Sequence, residues 1–162
     1  MLCAICGKEI KHGKNRDHIF PRAIAKWEQA YISPEELQTI RSLIGSKANI
    51  IPVHSYCNVQ KDDAIPWLYA LHIEPAHYLQ LLKIKEQLSP YINDFLQHKR
   101  IIQQKQKNKC YSCNKPLKTL GTIRRIDPTK PRIWSNACIV CTKCNCTYEG
   151  WSQKRKDKNH AN

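Results

Sequence analysis

The residues best suited to chemistry in this chain are sulfur and imidazole ligands set three positions apart. Cys3-Ala4-Ile5-Cys6 and Cys110-Tyr111-Ser112-Cys113 each form a Cys-x2-Cys pair, and His54-Ser55-Tyr56-Cys57 and Cys141-Thr142-Lys143-Cys144 supply a second pair to each. Zinc takes four Cys or His ligands in a tetrahedron, and this spacing lets one tight turn present two of them to a single ion. Nine cysteines in the chain, an odd number, therefore point to metal rather than to a disulfide framework. Cys138-x2-Cys141 is an equally permissible pair. Cys141 with Cys144 is preferred because it keeps the register of an internal repeat.

That repeat has two offsets. Cys3, Cys6, Lys8, Ile19 and Pro21 recur 107 positions later as Cys110, Cys113, Lys115, Ile126 and Pro128. Asn49, Cys57 and Asn58 recur 87 positions later as Asn136, Cys144 and Asn145, which places His54 at the position of Cys141. The first copy thus carries about 20 extra residues. A capping box with Pro at the first helical position, Ser33-Pro34-Glu35-Glu36, predicts a helix there running to Gly45.

Stepping along the chain, residues 1–61 hold nine basic and five acidic side chains, residues 62–98 two and five, and residues 99–162 sixteen and three. A net charge of +14, mostly C-terminal, suits a polyanionic partner, nucleic acid before membrane. Residues 62–109 read as a helical linker, with Pro66, Pro75 and Pro90 each suited to open one of three short helices. Its basic end, Lys99 to Lys109, is either a solvated face or a phosphate-tracking segment. Residues 152–162 read as a flexible basic tail. No stretch approaches the roughly 20 apolar residues of a membrane span, and Met1-Leu2-Cys3 does not open a signal peptide, so a cytoplasmic protein without a membrane partner is expected.

Between its ligand pairs the first copy reads Arg16-Asp17-His18-Ile19-Phe20-Pro21, then Asn49, and it closes with Cys57-Asn58-Val59-Gln60-Lys61. Over residues 3–61 this order resembles the zinc-stabilised HNH endonucleases, written Cys-x2-Cys, Asp-His-x-x-Pro, Asn, then a ligand pair running into Cys-Asn-x-x-Lys. His54, where Cys is more usual, and the long Asp-His to Asn segment depart from that pattern. The resemblance implies an α+β fold: a ββα-metal, treble-clef-like zinc module over 1–61, the helical middle, and a second treble-clef-like zinc module over 110–151. It also implies that Asn49 holds the strand loop so that the catalytic His18 is correctly aimed.

The residue types suit such chemistry independently. Phosphodiester hydrolysis needs a base near neutral pH and a cation for the phosphate. His18 can be that base, while Asp17 and Asn58 offer oxygen ligands to Mg²⁺ or Mn²⁺. Lys61, one helical turn beyond Asn58, is placed to touch phosphate. In the second copy Arg124 and Arg125 replace Asp17 and His18; guanidinium groups cannot bind a cation but grip phosphate well. With Arg132 and Lys143 they make the second copy a nucleic-acid-binding module. The expectation is a metal-dependent DNA endonuclease with two structural zinc ions. Its substrate would be double-stranded DNA, with RNA as another possibility, and a homodimer could cut both strands. The alternative is a non-catalytic zinc-stabilised DNA- or RNA-binding protein.

Overall fold

A strand pair, a turn of 3-10 helix and a short α-helix occur twice in the computed structural model, which describes residues 1–11, 14–62 and 64–147. The tail expected over 152–162 and the end of the 110–151 segment lie outside the described residues. In the first copy β1 (Lys14–His18) pairs antiparallel with β2 (Ile50–His54), and α3 (Ser55–Lys61) follows directly. In the second, β3 (Thr122–Arg125) pairs with β4 (Ala137–Val140), and α5 (Thr142–Thr147) follows. Asp17 lies opposite Ile51 and Arg124 opposite Cys138, so the sequence offsets carry one register onto the other. The 3-10 turns Lys47–Asn49 and Trp134–Asn136 also coincide under the second offset. The result is a mixed α+β architecture with two small sheets.

The extra segment of the first copy holds two helices. Helix α2 (Pro34–Gly45) starts as expected: the Ser33 hydroxyl accepts the Glu36 N–H at 3.2 Å, and the Glu36 carboxylate accepts the Ser33 N–H at 3.1 Å. Helix α1 (Ala23–Glu28) was not anticipated. Its buried Ile24, Trp27 and Glu28 face the core.

The middle of the chain corrects the expectation of three short helices. Residues Pro75–Lys105 form one helix, α4, of 31 residues, with Pro90 inside it. Its buried side chains, Leu81, Ile84, Leu88, Ile92, Phe95, Lys99 and Gln103, keep a spacing of three or four without interruption across Pro90. Pro90 is exposed, so the Glu86 carbonyl it leaves unpaired faces solvent, and burial of the continuous stripe outweighs one lost hydrogen bond. Lys99 is not part of a solvated face. It is 1% exposed, with its ammonium 5.5 Å from the Phe95 ring centroid. No helix among the described residues is long and apolar enough to cross a membrane.

Helix α4 is the spine on which both copies sit. Near its start His77 Nε2 lies 2.6 Å from the Ala48 carbonyl oxygen, and Tyr91 donates to Glu36. At its end the Gln106 amide pairs with Ile139 as a strand would, accepting the Ile139 N–H at 2.7 Å and donating to its carbonyl at 2.9 Å. Gln103 likewise accepts from Gly121 and donates to Thr119. Between these points Trp134 stacks on His98, with ring centroids 4.3 Å apart, and on Trp27 at 5.4 Å. Its backbone N–H donates to the Tyr31 hydroxyl. One aromatic side chain of the second copy is thus held by α1, the residues after it, and α4.

Glu28 lies in this seam, 2% exposed, near Asp94 and His98 of α4. Burial and the adjacent Asp94 carboxylate push the Glu28 carboxyl up to about 8. A carboxyl with a folded pKa above its ordinary value of 4.5 takes up its proton first in the folded state. Its stabilising contribution is complete below that ordinary value and is lost as pH rises through about 8. Glu28→Gln should therefore remove ~2–4 kcal/mol of stability loss across that window. Urea unfolding at a series of pH values reads this directly, and a slope identical to wild type would refute it.

Candidate metal centres and the Asp17–His18 cleft

Each Cys-x2-Cys pair sits in a turn closed in the same way. The Cys3 N–H donates to the Lys8 carbonyl at 2.9 Å and the Cys110 N–H to the Lys115 carbonyl at 2.8 Å. Gly7 and Asn114 donate back to the carbonyls of Cys3 and Cys110. Both residues have positive φ, +70° at Gly7 and +57° at Asn114, a conformation that Gly and Asn adopt at least cost. A Cβ at Gly7 would also lie 2.9 Å from the His72 ring. The second ligand pair enters where strand becomes helix: His54 ends β2, Cys141 follows β4, and Cys57 and Cys144 lie in the first turns of α3 and α5.

These turns bring the ligand atoms of Cys3, Cys6, His54 and Cys57 within 4.8 Å of one another, and those of Cys110, Cys113, Cys141 and Cys144 equally close. Ligands about 2.3 Å from a tetrahedral zinc stand roughly 3.8 Å apart. The Cys113 and Cys141 sulfurs are 3.9 Å apart, and Cys6 Sγ is 3.4 Å from His54 Nδ1. His54 Nε2 lies 3.2 Å from the Glu9 carbonyl oxygen. A proton on Nε2 would satisfy that contact and leave the Nδ1 lone pair facing the sulfurs, as a metal-ligating imidazole requires. Cys3 and Cys110 are buried, which opposes ionisation, yet backbone N–H groups aimed at their sulfurs bring both thiols down to about 6. For Cys3 these come from Cys6, His54 and Ile5, for Cys110 from Cys141, Cys113 and Ser112. Both sets fit a zinc-like ion. All eight cysteines with described side chains are free thiols. Cys138 lies outside the four-ligand group, in β4 opposite Arg124, and burial pushes its thiol up to about 11. The Cys146 side chain is outside the described residues.

The Asp-His-Asn residues separate into three environments. Asp17 meets α3: Lys61 Nζ is 2.9 Å from Asp17 Oδ2, and the Asn58 amide lies 3.0 and 3.3 Å from the two carboxylate oxygens. The amide is satisfied with its NH₂ donating to both Asp17 oxygens, whereas the opposite orientation sets its oxygen against the carboxylate. Mg²⁺ or Mn²⁺ takes few protein oxygens and completes its shell with water and phosphate, so either ion would need the Asn58 amide turned with its oxygen beside the carboxylate. The Lys61 side chain is 5% exposed and also donates to the Asp62 carbonyl, so it faces inward onto Asp17 rather than outward to a ligand. The reason is its position one helical turn beyond Asn58, on the α3 face that packs against β1.

His18, the next residue on the strand, lines a cleft of about 450 Å³ with Arg22, Lys26 and Arg41. Burial and the Arg22 guanidinium hold its imidazole below the ordinary value, against the pull of Asp17. Asn49 is fully buried and is not among the residues that line this cleft. Its Oδ1 accepts the Phe20 N–H at 2.8 Å, and its Nδ2 donates to the Phe20 and Ile44 carbonyls at 3.1 and 2.7 Å. Asn136 repeats all three bonds with the Asp127 N–H, the Asp127 carbonyl and the Pro131 carbonyl. The same brace in a copy without Asp-His marks Asn49 as a positioning residue.

In the second copy Arg124, Arg125 and Arg132 gather. Burial, then the Arg125 and Arg124 charges, lower the Arg132 pKa. Arg124 and Arg125 donate to the carbonyls of Ile123 and Lys130. Lys143 is exposed on α5. Asn145, the counterpart of Asn58, donates to Asp62 Oδ2 at 2.9 Å, and the Thr122 hydroxyl donates to the same oxygen. Sequence reasoning missed Asp62, Arg22, Lys26 and Arg41. The last three were legible only once α1 was recognised as a helix. No protein-family model matches the chain, nor does any curated protein or solved structure.

Elemental analysis should return two zinc ions per chain, and a strong chelator should unfold both small modules, seen as loss of far-UV signal. Asn49→Ala strands three buried backbone groups and should cost ~2–4 kcal/mol in denaturant unfolding, and Asn136→Ala, whose partners Asp127 and Pro131 are half-buried and exposed, should cost less. A negligible effect at either position would show that its brace is dispensable.

Proposed function

We propose that the protein is a metal-dependent endonuclease of HNH type that hydrolyses phosphodiester bonds in DNA. The observation that carries the proposal is the convergence of Asp17 and Asn58 from β1 and α3, beside a half-buried His18, on a unit held by the Cys3, Cys6, His54 and Cys57 ligands. Strand pair, helix and ligand set together have the composition of a ββα-metal, treble-clef-like module. Two structural zinc ions would hold the two modules.

Asp17 and Asn58 would hold a Mg²⁺ or Mn²⁺ ion, which supplies positive charge to the phosphate and to the departing oxygen. His18, with its lone pair free, takes the proton of a water attacking in line, and the 3′ oxygen leaves to give a 5′ phosphate. Asn49 keeps the Phe20 turn, and with it His18, in place. Lys61 neutralises Asp17 and fixes its orientation. In the second module Arg124, Arg125, Arg132 and Lys143 bind the duplex through its phosphates. One site cuts one strand, so cleavage of both requires a dimer or two binding events.

A second reading, a non-catalytic zinc protein that binds DNA or RNA, draws on the Lys61 ammonium seated on Asp17. That ion pair would leave the carboxylate a purely structural group. Incubation of supercoiled plasmid with zinc-loaded protein and Mg²⁺ or Mn²⁺ separates the two. Wild type should nick, and His18→Ala should lower the rate by about 10²–10⁴-fold. Absence of nicking by wild type over a range of metal and salt would eliminate the enzyme. Arg124→Ala with Arg125→Ala should reduce the salt slope of DNA binding by up to about 1.8, and unchanged affinity would remove the role of the second module.

A further inference from the structure

The segment that only the first copy possesses builds the walls of the cleft beside His18. Twenty-seven residues separate Pro21 from Asn49, against seven between Pro128 and Asn136. Within the longer segment, Arg22, Ala25, Lys26 and Gln29 line the cleft from α1 and its flanks, and Arg41, Ile44 and Gly45 line it from α2. Positions 22, 25, 26 and 29 follow the i, i+3, i+4, i+7 spacing of one helix face, and 41, 44 and 45 follow i, i+3, i+4. The opposite face of α1 is fixed by Ile24, Trp27 and Glu28 in the core, and Ile40 and Ile44 anchor α2. The cleft is therefore preformed by two packed helices.

Its chemistry is one-sided. Three cationic side chains, an amide and an imidazole line it, and no acidic side chain among the described residues does. Glu28 points into the seam with α4, and Glu36 is held by Ser33 and Tyr91. Ala25, Ile44 and Gly45 add apolar lining, and about 450 Å³ is within the range of pockets that hold small ligands. Cationic and apolar lining in one cleft suits a group that is anionic at one end and flat or weakly polar at the other.

We propose that this cleft is a nucleotide subsite. Arg22, Lys26 and Arg41 take the phosphate oxygens, while Ala25, Ile44, Gly45 and the Gln29 amide receive the sugar and base. The seated nucleotide neighbours the phosphate that faces His18, an adjacency that rests on the endonuclease reading; binding of the nucleotide itself does not. The extra segment then makes the first copy a substrate-positioning module. The second copy, without it, offers only charge.

The test uses full-length, zinc-loaded His18→Ala protein without Mg²⁺ or Mn²⁺, so that no turnover intervenes. Thymidine 3′,5′-bisphosphate is the probe, followed by amide and arginine side-chain NMR shifts and by calorimetry. Shifts should centre on residues 22–29 and 41–45, and Arg22→Ala with Arg41→Ala should weaken binding tenfold or more. Gln29→Glu, which keeps the helix and adds an acid, should weaken it comparably. Lys83→Ala with Lys85→Ala removes the same charge from an exposed part of α4 and should change affinity less than twofold. Shifts confined to residues 110–147, or equal losses in the control, would overturn the subsite. In plasmid nicking, the Arg22/Arg41 double variant should raise KM tenfold with little change in kcat. A wild type that never nicks refutes the endonuclease, and the bisphosphate titration still decides the cleft.

Discussion

Four soft ligands crowded within 4.8 Å of one another, twice over, are the constraint on which the rest of this structure depends. A two-stranded sheet is marginal alone, and helices of six or seven residues are too short to persist on their own hydrogen bonds. Outside the extra segment of the first copy, each copy contains little else: strands of four or five residues, one 3-10 turn and one such helix. The Cys-x2-Cys turn is joined to the strand before that helix by a backbone bond, Ala4 N–H to the Pro52 carbonyl or Tyr111 N–H to the Ile139 carbonyl, and by the ligand cluster. Backbone N–H groups already point at Cys3 and Cys110 and favour their thiolates, while burial pushes Cys57 up to about 11 and Cys144 up to about 12, so each quartet has one sulfur set up for a cation and another that needs the cation in order to ionise. A cation that binds those sulfurs binds the folded chain and stabilises it by linkage.

Duplication explains why so much of the bonding recurs and why the chemistry does not. The turns after Cys6 and Cys113, the strand registers and the Asn49 and Asn136 braces repeat bond for bond. These contacts run from side chain to backbone or from backbone to backbone, so they tolerate almost any sequence around them. Asp17, His18 and Lys61 have no such protection. Their counterparts by position are Arg124, Arg125 and Tyr148, and the exchange of two residues on one strand turns a carboxylate-imidazole pair into a guanidinium pair without disturbing the hairpin.

Local rules recovered the repeats of the fold from sequence, and tertiary rules decided the remainder. Ser33 and Glu36 announce α2 because a capping box is satisfied by four consecutive residues. The two ligand quartets follow from spacing and offset for the same reason. Pro90 misleads because its local penalty is real, while the buried stripe from Leu81 to Gln103 that overrides it is visible only against the two copies packed along α4. Helix α1 is short and its apolar residues meet Trp134, over a hundred positions away. Lys61 was expected to touch phosphate because it lies one helical turn beyond Asn58; its inward turn onto Asp17 depends on how α3 lies against β1. The cationic cleft could not be seen before α1 was a helix.

The end of α3 is where the two copies are joined electrostatically. Lys61 and Asp62 are adjacent, and Asp62 has a φ of +49°, so the chain turns sharply and sends the two side chains to different partners. Lys61 holds Asp17 of the first copy; Asp62 holds Asn145 and Thr122 of the second. Asn145 stands where the first copy has Asn58, so the amide that would complete an oxygen donor set in the second copy is committed to the junction instead. The loss of Asp-His there and the docking of Asp62 support each other. Asn145 acts as a fixed donor, and a fixed donor facing Asp62 ties the second copy to the helix that carries Asn58. The asymmetry between the copies is thus built into their contact as well as into their charge.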